Sequence, residues 1–161
     1  MPNTGPTREA AALMQATFDA IAAKDIETLS SFWHDDVVED FMVIGPVVGK
    51  AAAAAFFVEM FTAMPDLVFA TERVLPVDQS TAVGQWTLSG TFTGGPFQGI
   101  EPNGRTIQLQ GIDVMEFEDG LLKHNTIYYD GLTWVRQLGM LPAAGSKADR
   151  AMLASFNAMT K

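Results

Sequence analysis

Asp113 lies among apolar residues in a segment that is typical of a long central strand. Alternation places it on one face together with Leu109, Gly111, Met115 and Phe117. If this face points inward, burial raises the pKa of Asp113 and favours the protonated acid, which can donate a hydrogen bond to a substrate oxygen. Because the opposite face is also partly apolar, the pattern leaves an orientation with Asp113 in solvent equally open.

Asp40 is the second carboxylate whose neighbours suggest chemistry. It lies in a strand-like segment from Val37 to Val43 and shares a face with Val38 and Met42. A partly desolvated aspartate near the mouth of a pocket suits a general base. The alternative is that Glu39 and Asp40 both face solvent, and the pattern does not decide between the two.

Other kinds of reactive site have little support in the sequence. The chain has no cysteine, which excludes thiolate chemistry and disulfides. His34 and His124 lie far apart and lack the spacing of metal ligands. The glycine-rich stretch Gly94 to Gly99 has neither the spacing nor the following helix of a phosphate loop. We therefore expect no metal and no cofactor.

Composition limits the class of protein and its partners. The 161 residues suffice for one domain, and 48% of them are hydrophobic, so a sizeable core can form. Nineteen acidic against 10 basic residues give a formal charge of −9, which disfavours a nucleic-acid partner. No apolar run approaches the roughly 20 residues of a membrane span. The N-terminus has no pattern of a signal peptide, so we expect a cytoplasmic protein with no membrane partner.

The spacing of apolar residues changes from a helical to a strand period at Pro65. Before it, three helices are predicted, the third from Lys50 and ended by Pro65. After it, four strands are predicted at Leu67–Val77, Thr81–Thr93, Arg105–Glu118 and Leu121–Tyr129. A short helix follows at Leu132–Leu138, and we divide the chain into a domain at residues 1–142 and a linker with an amphipathic tail helix at residues 143–161.

This order predicts an α+β fold with three N-terminal helices on one face of a strongly curved antiparallel sheet. A sheet that curls around its helices leaves a conical cavity with one open end, where a small molecule can bind. Tyr129 is predicted to face this cavity, where its hydroxyl would need a partner.

A series of short motifs resembles the SnoaL-like polyketide cyclases of the NTF2-like superfamily. The resemblance runs from the first helix to Pro142. The motifs are Phe32-Trp33-His34-Asp35-Asp36-Val37-Val38-Glu39-Asp40, Gly49-Lys50, Met64-Pro65-Asp66-Leu67, Gly90-Thr91-Phe92-Thr93-Gly94, Phe97-Gln98-Gly99-Ile100, Pro102-Asn103-Gly104-Arg105 and Arg136-Gln137-Leu138-Gly139-Met140-Leu141-Pro142. This resemblance implies the cone-shaped fold, frequent dimers and a pocket that hosts several unrelated chemistries.

The ketosteroid isomerases of the same superfamily imply roles for individual residues. Their base ends a Val-Glu-Asp stretch, which Asp40 matches, and their protonated aspartate lies in mid-strand, which Asp113 matches. Their oxyanion tyrosine lies on the first helix, and the matching position in this chain is approximately that of Thr17, which the resemblance therefore implies to be a substrate-binding residue. The aldol cyclases carry an acid/base aspartate where this chain has Ile127, and a histidine where it has Asp113. The resemblance is thus to the cyclases overall, with a carboxylate pair more like that of the isomerases.

These observations predict a cofactor-independent cyclase or isomerase, forming a homodimer and acting on a hydrophobic polyketide- or terpenoid-like molecule. Asp40 is the expected base and Asp113 the expected protonated donor, with Tyr129 and Asn125 orienting the substrate. The expected apolar walls are Trp86, Phe57, Phe61 and Met115. A non-catalytic ligand-binding module, or an epoxide hydrolase or dehydratase in the same cone, remains open as an alternative.

Overall fold

The computed structural model describes residues 7–160. In this part of the chain the helices are α1 (Thr7–Ala23), α2 (Ile26–Ser31), α3 (Lys50–Ala63), α4 (Gly131–Gln137) and α5 (Lys147–Met159). The strands are β1 (Trp33–Phe41), β2 (Gly45–Val48), β3 (Val68–Pro76), β4 (Thr81–Thr91), β5 (Thr106–Glu118) and β6 (Leu121–Tyr129). The predicted α+β fold is confirmed.

All six strands form one curved, unclosed sheet in the order β2-β1-β6-β5-β4-β3. β1 and β6 run parallel, whereas the other neighbours are antiparallel. The expected purely antiparallel sheet is therefore corrected to a mixed one, because the chain returns from β5 through β6 to lie beside β1. β3 lies at an edge, which agrees with the position of Pro76 near its end.

The segment around β1 and β2 differs most from the sequence prediction. β1 begins at Trp33 rather than at Val37 and ends at Phe41 rather than at Val43, and β2 adds a short strand that was not predicted. Gly45 has a φ of +92°, which permits the tight turn between the two strands. Pro46 is tolerated because β2 is an edge strand whose outer side needs no N–H donor.

Helices α1 and α3 cover the inner face of the sheet. α1 packs against β3 and β4 and buries Met14 and Phe18, while α3 packs against β1 and buries Phe56 and Phe57. These side chains meet the inward residues of the strands in one continuous core. The space between the helices and the curved sheet is where the polar inward side chains collect.

Helix α5 stands apart from this core. Every one of its residues is exposed except Asp149, which is 6% exposed. Asp149 accepts a 2.8 Å hydrogen bond from the Gly145 N–H and lies 3.4 Å from the Arg136 Nη2. The apolar side of α5, with Met152, Phe156 and Met159, therefore has no partner within the described chain. Within residues 7–160, no helix combines the length and apolar character that crossing a bilayer requires.

Candidate functional site

A cavity of about 90 Å³ lies between the sheet, α3 and α4, and it opens to the surface. Aromatic side chains from several elements form much of its wall: Phe41, Phe56, Phe57, Phe69, Phe97 and Trp134. The polar side chains that reach it, apart from the two indoles, are Asp113, Asn125 and Tyr129. The cavity is thus an apolar space with a small polar region on β5 and β6.

Asp113 is a buried carboxylate held by two N–H donors. It is 4% exposed and lies on the inner face of β5 with Gly111 and Met115, as one of the two sequence interpretations expected. Its Oδ1 accepts a 2.7 Å hydrogen bond from Trp86 Nε1, and its Oδ2 accepts a 2.9 Å hydrogen bond from Asn125 Nδ2. Burial raises the pKa of Asp113 to about 6, and the two hydrogen bonds limit the rise because they favour the carboxylate.

Trp86 reaches Asp113 because the residue across from it is a glycine. Trp86 pairs with Gly111 in the register of β4 and β5, and the indole lies over Gly111 toward Asp113. A Cβ atom on Gly111 would lie 2.1 Å from the Cζ2 atom of Trp86. No side chain larger than hydrogen fits beneath the indole, so Gly111 is part of the arrangement that positions the donor.

Asn125 connects Asp113 to a second buried carboxyl group, that of Glu39. Glu39 is 2% exposed and lies beside Asn125 in the parallel register of β1 and β6. Asn125 Nδ2 donates a hydrogen bond of 2.9 Å to Glu39 Oε2 as well as the one to Asp113. Burial raises the pKa of Glu39 to about 8, against the effect of the Asn125 hydrogen bond and with a contribution from the Asp113 charge.

Tyr129 lies at the outer part of the cavity wall, against Trp134 with ring centroids 6.2 Å apart. Desolvation raises the pKa of its hydroxyl to about 12, so the phenol stays protonated at neutral pH. No hydrogen bond joins this hydroxyl to another of residues 7–160. It therefore has a proton available for a bound molecule.

The face of β1 that carries Asp40 was expected to point inward, but in the structure this face points outward. β1 turns Val37, Glu39 and Phe41 inward, whereas Asp40 is half-buried on the other face. Its Oδ2 lies 4.0 Å from His124 Nε2, and Asp40 does not line the cavity. The inward orientation predicted for Asp40 is therefore wrong. Successive side chains of a strand point to opposite faces, and in β1 it is Glu39 that points inward.

The remaining predicted site residues divide into two groups. Trp86, Phe57, Asn125 and Tyr129 line the cavity together with Asp113. The predicted residues that do not line it are Phe61, Met115 and Thr17. Phe61 packs against Phe57, Met115 is buried in the core, and the Thr17 hydroxyl donates to the Leu13 carbonyl within α1. These three residues support the core rather than contact the cavity.

Glu39 is the polar residue that the sequence interpretation missed. A signal for it exists in the alternation, because Glu39 shares its face with Trp33, Val37 and Phe41, which are larger and more apolar as a set than Val38 and Met42. Phe56 of α3 and Trp134 of α4 also line the cavity without having been predicted to do so, since core packing accounts for them equally well in the sequence.

The described part of the chain contains no cluster of side chains that could bind a metal ion. Among residues 7–160, no group of three or more histidine and carboxylate side chains lies close enough to hold an ion. The chemistry available to the cavity is therefore that of a carboxylate, an amide and a phenol.

Comparison with known proteins places this geometry in a family. Residues 11–138 match the sequence model of the SnoaL-like polyketide cyclases. A candidate SnoaL-like polyketide cyclase from Jannaschia sp. CCS1 is similar in structure, with a TM-score of 0.75, 21% identity, and coverage of 88% of this chain and 99% of that one. No curated protein matches in sequence.

Two further solved structures share the fold. AclR from Streptomyces galilaeus, a candidate hydroxylase, has a TM-score of 0.73 at 20% identity, covering 96% of this chain and 95% of its own. An LEH-like epoxide hydrolase from M. tuberculosis has a TM-score of 0.64 at 19% identity, covering 83% and 91%. At such identities the likeness concerns the fold alone, whereas the family match spans most of the sequence. The chain belongs to the SnoaL-like polyketide cyclase family.

Proposed function

We propose that this protein is a cofactor-independent cyclase or isomerase in which Asp113 acts as the general base on a hydrophobic, oxygenated small molecule. The observation that carries the proposal is a buried carboxylate, held by Trp86 and Asn125, at the wall of an otherwise apolar cavity. Membership of a polyketide cyclase family supports the same substrate class.

The hydrogen bonds of Asp113 favour the role of base over that of protonated donor. Both carboxyl oxygens accept from N–H groups, which stabilises the ionised form. A pKa of about 6 leaves Asp113 mostly ionised at neutral pH and still close enough to neutrality for efficient proton transfer. The role that the sequence assigned to Asp40 is thus transferred to Asp113, because Asp113 is the aspartate that reaches the cavity.

Tyr129 supplies the proton donor that the reaction needs. Asp113 removes a proton from the carbon next to a substrate carbonyl. The electron pair of that C–H bond forms the C=C bond of the enolate, and the π electron pair of the carbonyl moves onto the carbonyl oxygen. The Tyr129 hydroxyl donates a hydrogen bond to this oxygen as negative charge develops on it. In a cyclase the enolate carbon attacks a second carbonyl carbon of the same molecule, the π electron pair of that carbonyl moves onto its oxygen, and this oxygen takes the proton from Asp113. In an isomerase the enolate takes the proton back from Asp113 at another carbon.

The size of the cavity defines how a substrate fits. Its volume of about 90 Å³ is smaller than the cavity of about 150 Å³ in which benzene binds in an engineered protein core. Even a single ring therefore occupies the opening as well as the closed end. The reacting carbon lies at the inner, polar region, and the rest of a larger molecule extends past Tyr129 and Trp134.

The proposal predicts that 2-naphthol, a neutral mimic of an enol, binds the cavity and senses Asp113. We expect micromolar affinity for the native chain in a fluorescence titration, and at least about tenfold weaker binding for Asp113→Asn, since the phenol loses an ionised acceptor. Asp40→Asn is the matched control and should bind as the native chain does. Equal affinity in all three proteins, or no binding, contradicts the proposed site.

The naphthol titration, combined with a turnover assay, separates an enzyme from a binding module. A cavity that only stores a ligand gives tight binding and no turnover of any ketone that can form an enolate. The module interpretation gains support if naphthol binds but no proton transfer is detected.

We also propose that the protein forms a homodimer through the outer face of the sheet. Support comes from Ile112 and Tyr128, which are 44% and 51% exposed on that face and line a shallow groove with Gln85 and Gln110. Apolar side chains of this size in a groove are typical of surfaces that pair with another molecule.

Removal of residues 143–161 should leave this dimer intact and lower the stability of the body only modestly. α5 buries only Asp149, so the loss amounts to the partly buried ion pair of Asp149 with Arg136 and costs about 1–2 kcal/mol. Sedimentation velocity and thermal unfolding check the two expectations. Ile112→Glu, on the outer face, is the control that should yield monomers. A truncated chain that is monomeric would instead assign the contact to α5.

A further inference from the structure

Glu39 is a buried carboxyl group that the proposed mechanism does not use. It does not line the cavity but lies behind Asn125, whose Nδ2 is 2.9 Å from Glu39 Oε2 and 2.9 Å from Asp113 Oδ2. The two hydrogens of one amide nitrogen thus join two carboxyl groups from different strands. The Trp33 indole lies beside the same Glu39 carboxyl.

The surroundings of this pair favour a single negative charge. β2 places Val47 opposite Glu39, and α3 packs on β1 through ring pairs of Phe56 with Phe41 and Phe57 with Trp33. Within residues 7–160, no cationic side chain forms an ion pair with either carboxyl group. Two carboxylates that share an amide in an apolar interior repel each other, so one of them keeps its proton at neutral pH.

The hydrogen bonds decide which carboxyl group carries the charge. Asp113 accepts hydrogen bonds from Trp86 and Asn125, whereas Glu39 accepts one from Asn125, and the Trp33 indole N–H beside it does not reach hydrogen-bond geometry. The carboxyl group with more hydrogen-bond donors ionises at the lower pH, so the charge lies on Asp113 and the proton on Glu39. The pKa values of about 6 for Asp113 and about 8 for Glu39 agree with this order.

The orientation of the Asn125 amide depends on the same arrangement. Its Oδ1 is buried and has no hydrogen-bond partner among the described residues. If the amide turned over, this oxygen would face the Asp113 carboxylate, and Asp113 would lose a donor. The amide therefore stays as it is while both carboxyl groups act as acceptors toward it.

We propose that Glu39 is a positioning residue that keeps the second proton of the pair and, through Asn125, holds the Asp113 carboxylate as the only negative charge of the site. The inference rests on the proposed role of Asp113 as base. Ionisation of Glu39 places a second charge behind Asp113 and opposes the negative charge that develops on the substrate. The site is thus active at pH values at which Asp113 is ionised and Glu39 is still protonated.

A titration of carboxyl carbons by ¹³C NMR tests this inference without any substrate. In the native chain we expect a pKa of about 6 for Asp113 and a pKa of about 8 for Glu39. In Glu39→Gln, the transition near 8 should disappear and that of Asp113 should remain near 6, because the glutamine amide oxygen still accepts from Asn125. Asp40→Asn, one residue away on the other face, should keep both transitions.

Thermal unfolding against pH provides a second readout. A glutamate whose folded pKa is raised binds more protons in the folded than in the unfolded state, so stability falls as pH rises from about 4.5 toward about 8. Glu39→Gln should show a smaller fall over this range than the native chain or Asp40→Asn. A purely structural role would lower the melting temperature equally at every pH.

The inference is overturned if Glu39 titrates near its ordinary pKa of 4.5 in the native chain, or if Asp113 retains its proton above Glu39. The native titration decides this even if Glu39→Gln does not fold. A Glu39 that titrates at its ordinary pKa leaves the role of Asp113 as base unaffected, whereas an Asp113 that keeps its proton above Glu39 contradicts that role as well. Ligand binding and turnover in Asp113→Asn judge the role of Asp113 separately.

Discussion

Replacement of Asp113 by asparagine should slow proton transfer by about 10²–10⁴-fold, the usual contribution of a general base. The variant keeps the shape of the side chain but lacks the lone pair that takes the proton at neutral pH. The measurement is exchange of the α-hydrogens of 2-tetralone for deuterium in D₂O, followed by proton NMR. This ketone is suitable because its enol closely resembles 2-naphthol.

The pH dependence of this exchange strengthens the test. In the native chain the rate should rise as Asp113 ionises through about pH 6, because the base is active only without its proton, and should fall again as Glu39 ionises at about pH 8. Asp40→Asn should exchange within about twofold of the native rate, since this side chain does not reach the cavity and a twofold change is well below the effect of a lost base. If Asp113→Asn and the native chain exchange equally fast, Asp113 is not the base.

Replacement of Gly111 by alanine should destabilise the fold by about 1–3 kcal/mol, the usual cost of overpacking. The new methyl group would lie 2.1 Å from Cζ2, 2.5 Å from Cη2 and 2.6 Å from Cε2 of Trp86, so the indole must move. A displaced indole no longer donates to Asp113, whose pKa should then rise above about 6 because one of the two hydrogen bonds that favour the carboxylate is lost. Denaturant unfolding measures the first effect, and ¹³C titration of the Asp113 carboxyl carbon measures the second.

Gly90→Ala is the matched control for this variant, because Gly90 lies on the neighbouring strand β4. There the new methyl group meets the Met64 Cβ at 3.1 Å and the Met64 Sδ at 3.2 Å. Methionine is flexible and can yield by a few tenths of an ångström, so we expect a smaller loss of stability. The pKa of Asp113 should not change in this control. A Gly111→Ala protein with native stability and an unshifted Asp113 would contradict the tight fit of the indole.

The long C-terminal strands were predictable because local signals agree with one another there. β6 has the predicted bounds, from Leu121 to Tyr129, and Asp119-Gly120, a sequence typical of hairpin turns, joins it to β5. The inward face of β5 follows from alternation once either end of the strand is known to be buried. Asp113 could therefore be found from its neighbours, although its hydrogen-bond donors could not.

The region of β1 was harder to predict because each of its two faces carries both apolar side chains and a carboxyl group, so that the difference between the faces is small. A shift of one residue exchanges Glu39 and Asp40 between interior and exterior, and only the packing of Trp33 and Phe41 fixes the choice. The parallel pairing of β1 with β6 is not encoded locally at all, since it joins segments more than 80 residues apart. For this reason the Glu39–Asn125–Asp113 arrangement could not be derived from the sequence.

The position of β6 between β1 and β5 has a consequence for how the protein acquires its site during synthesis. Of the six strands in residues 7–160, β6 is the last to leave the ribosome, yet it lies in the interior of the sheet. Until it inserts, β1 and β5 each present an open edge, and such edges favour pairing with other chains. Glu39, already synthesised, then has no amide partner. The nascent chain is thus most prone to aggregate before residue 129, and completion of the sheet and assembly of the site are one event.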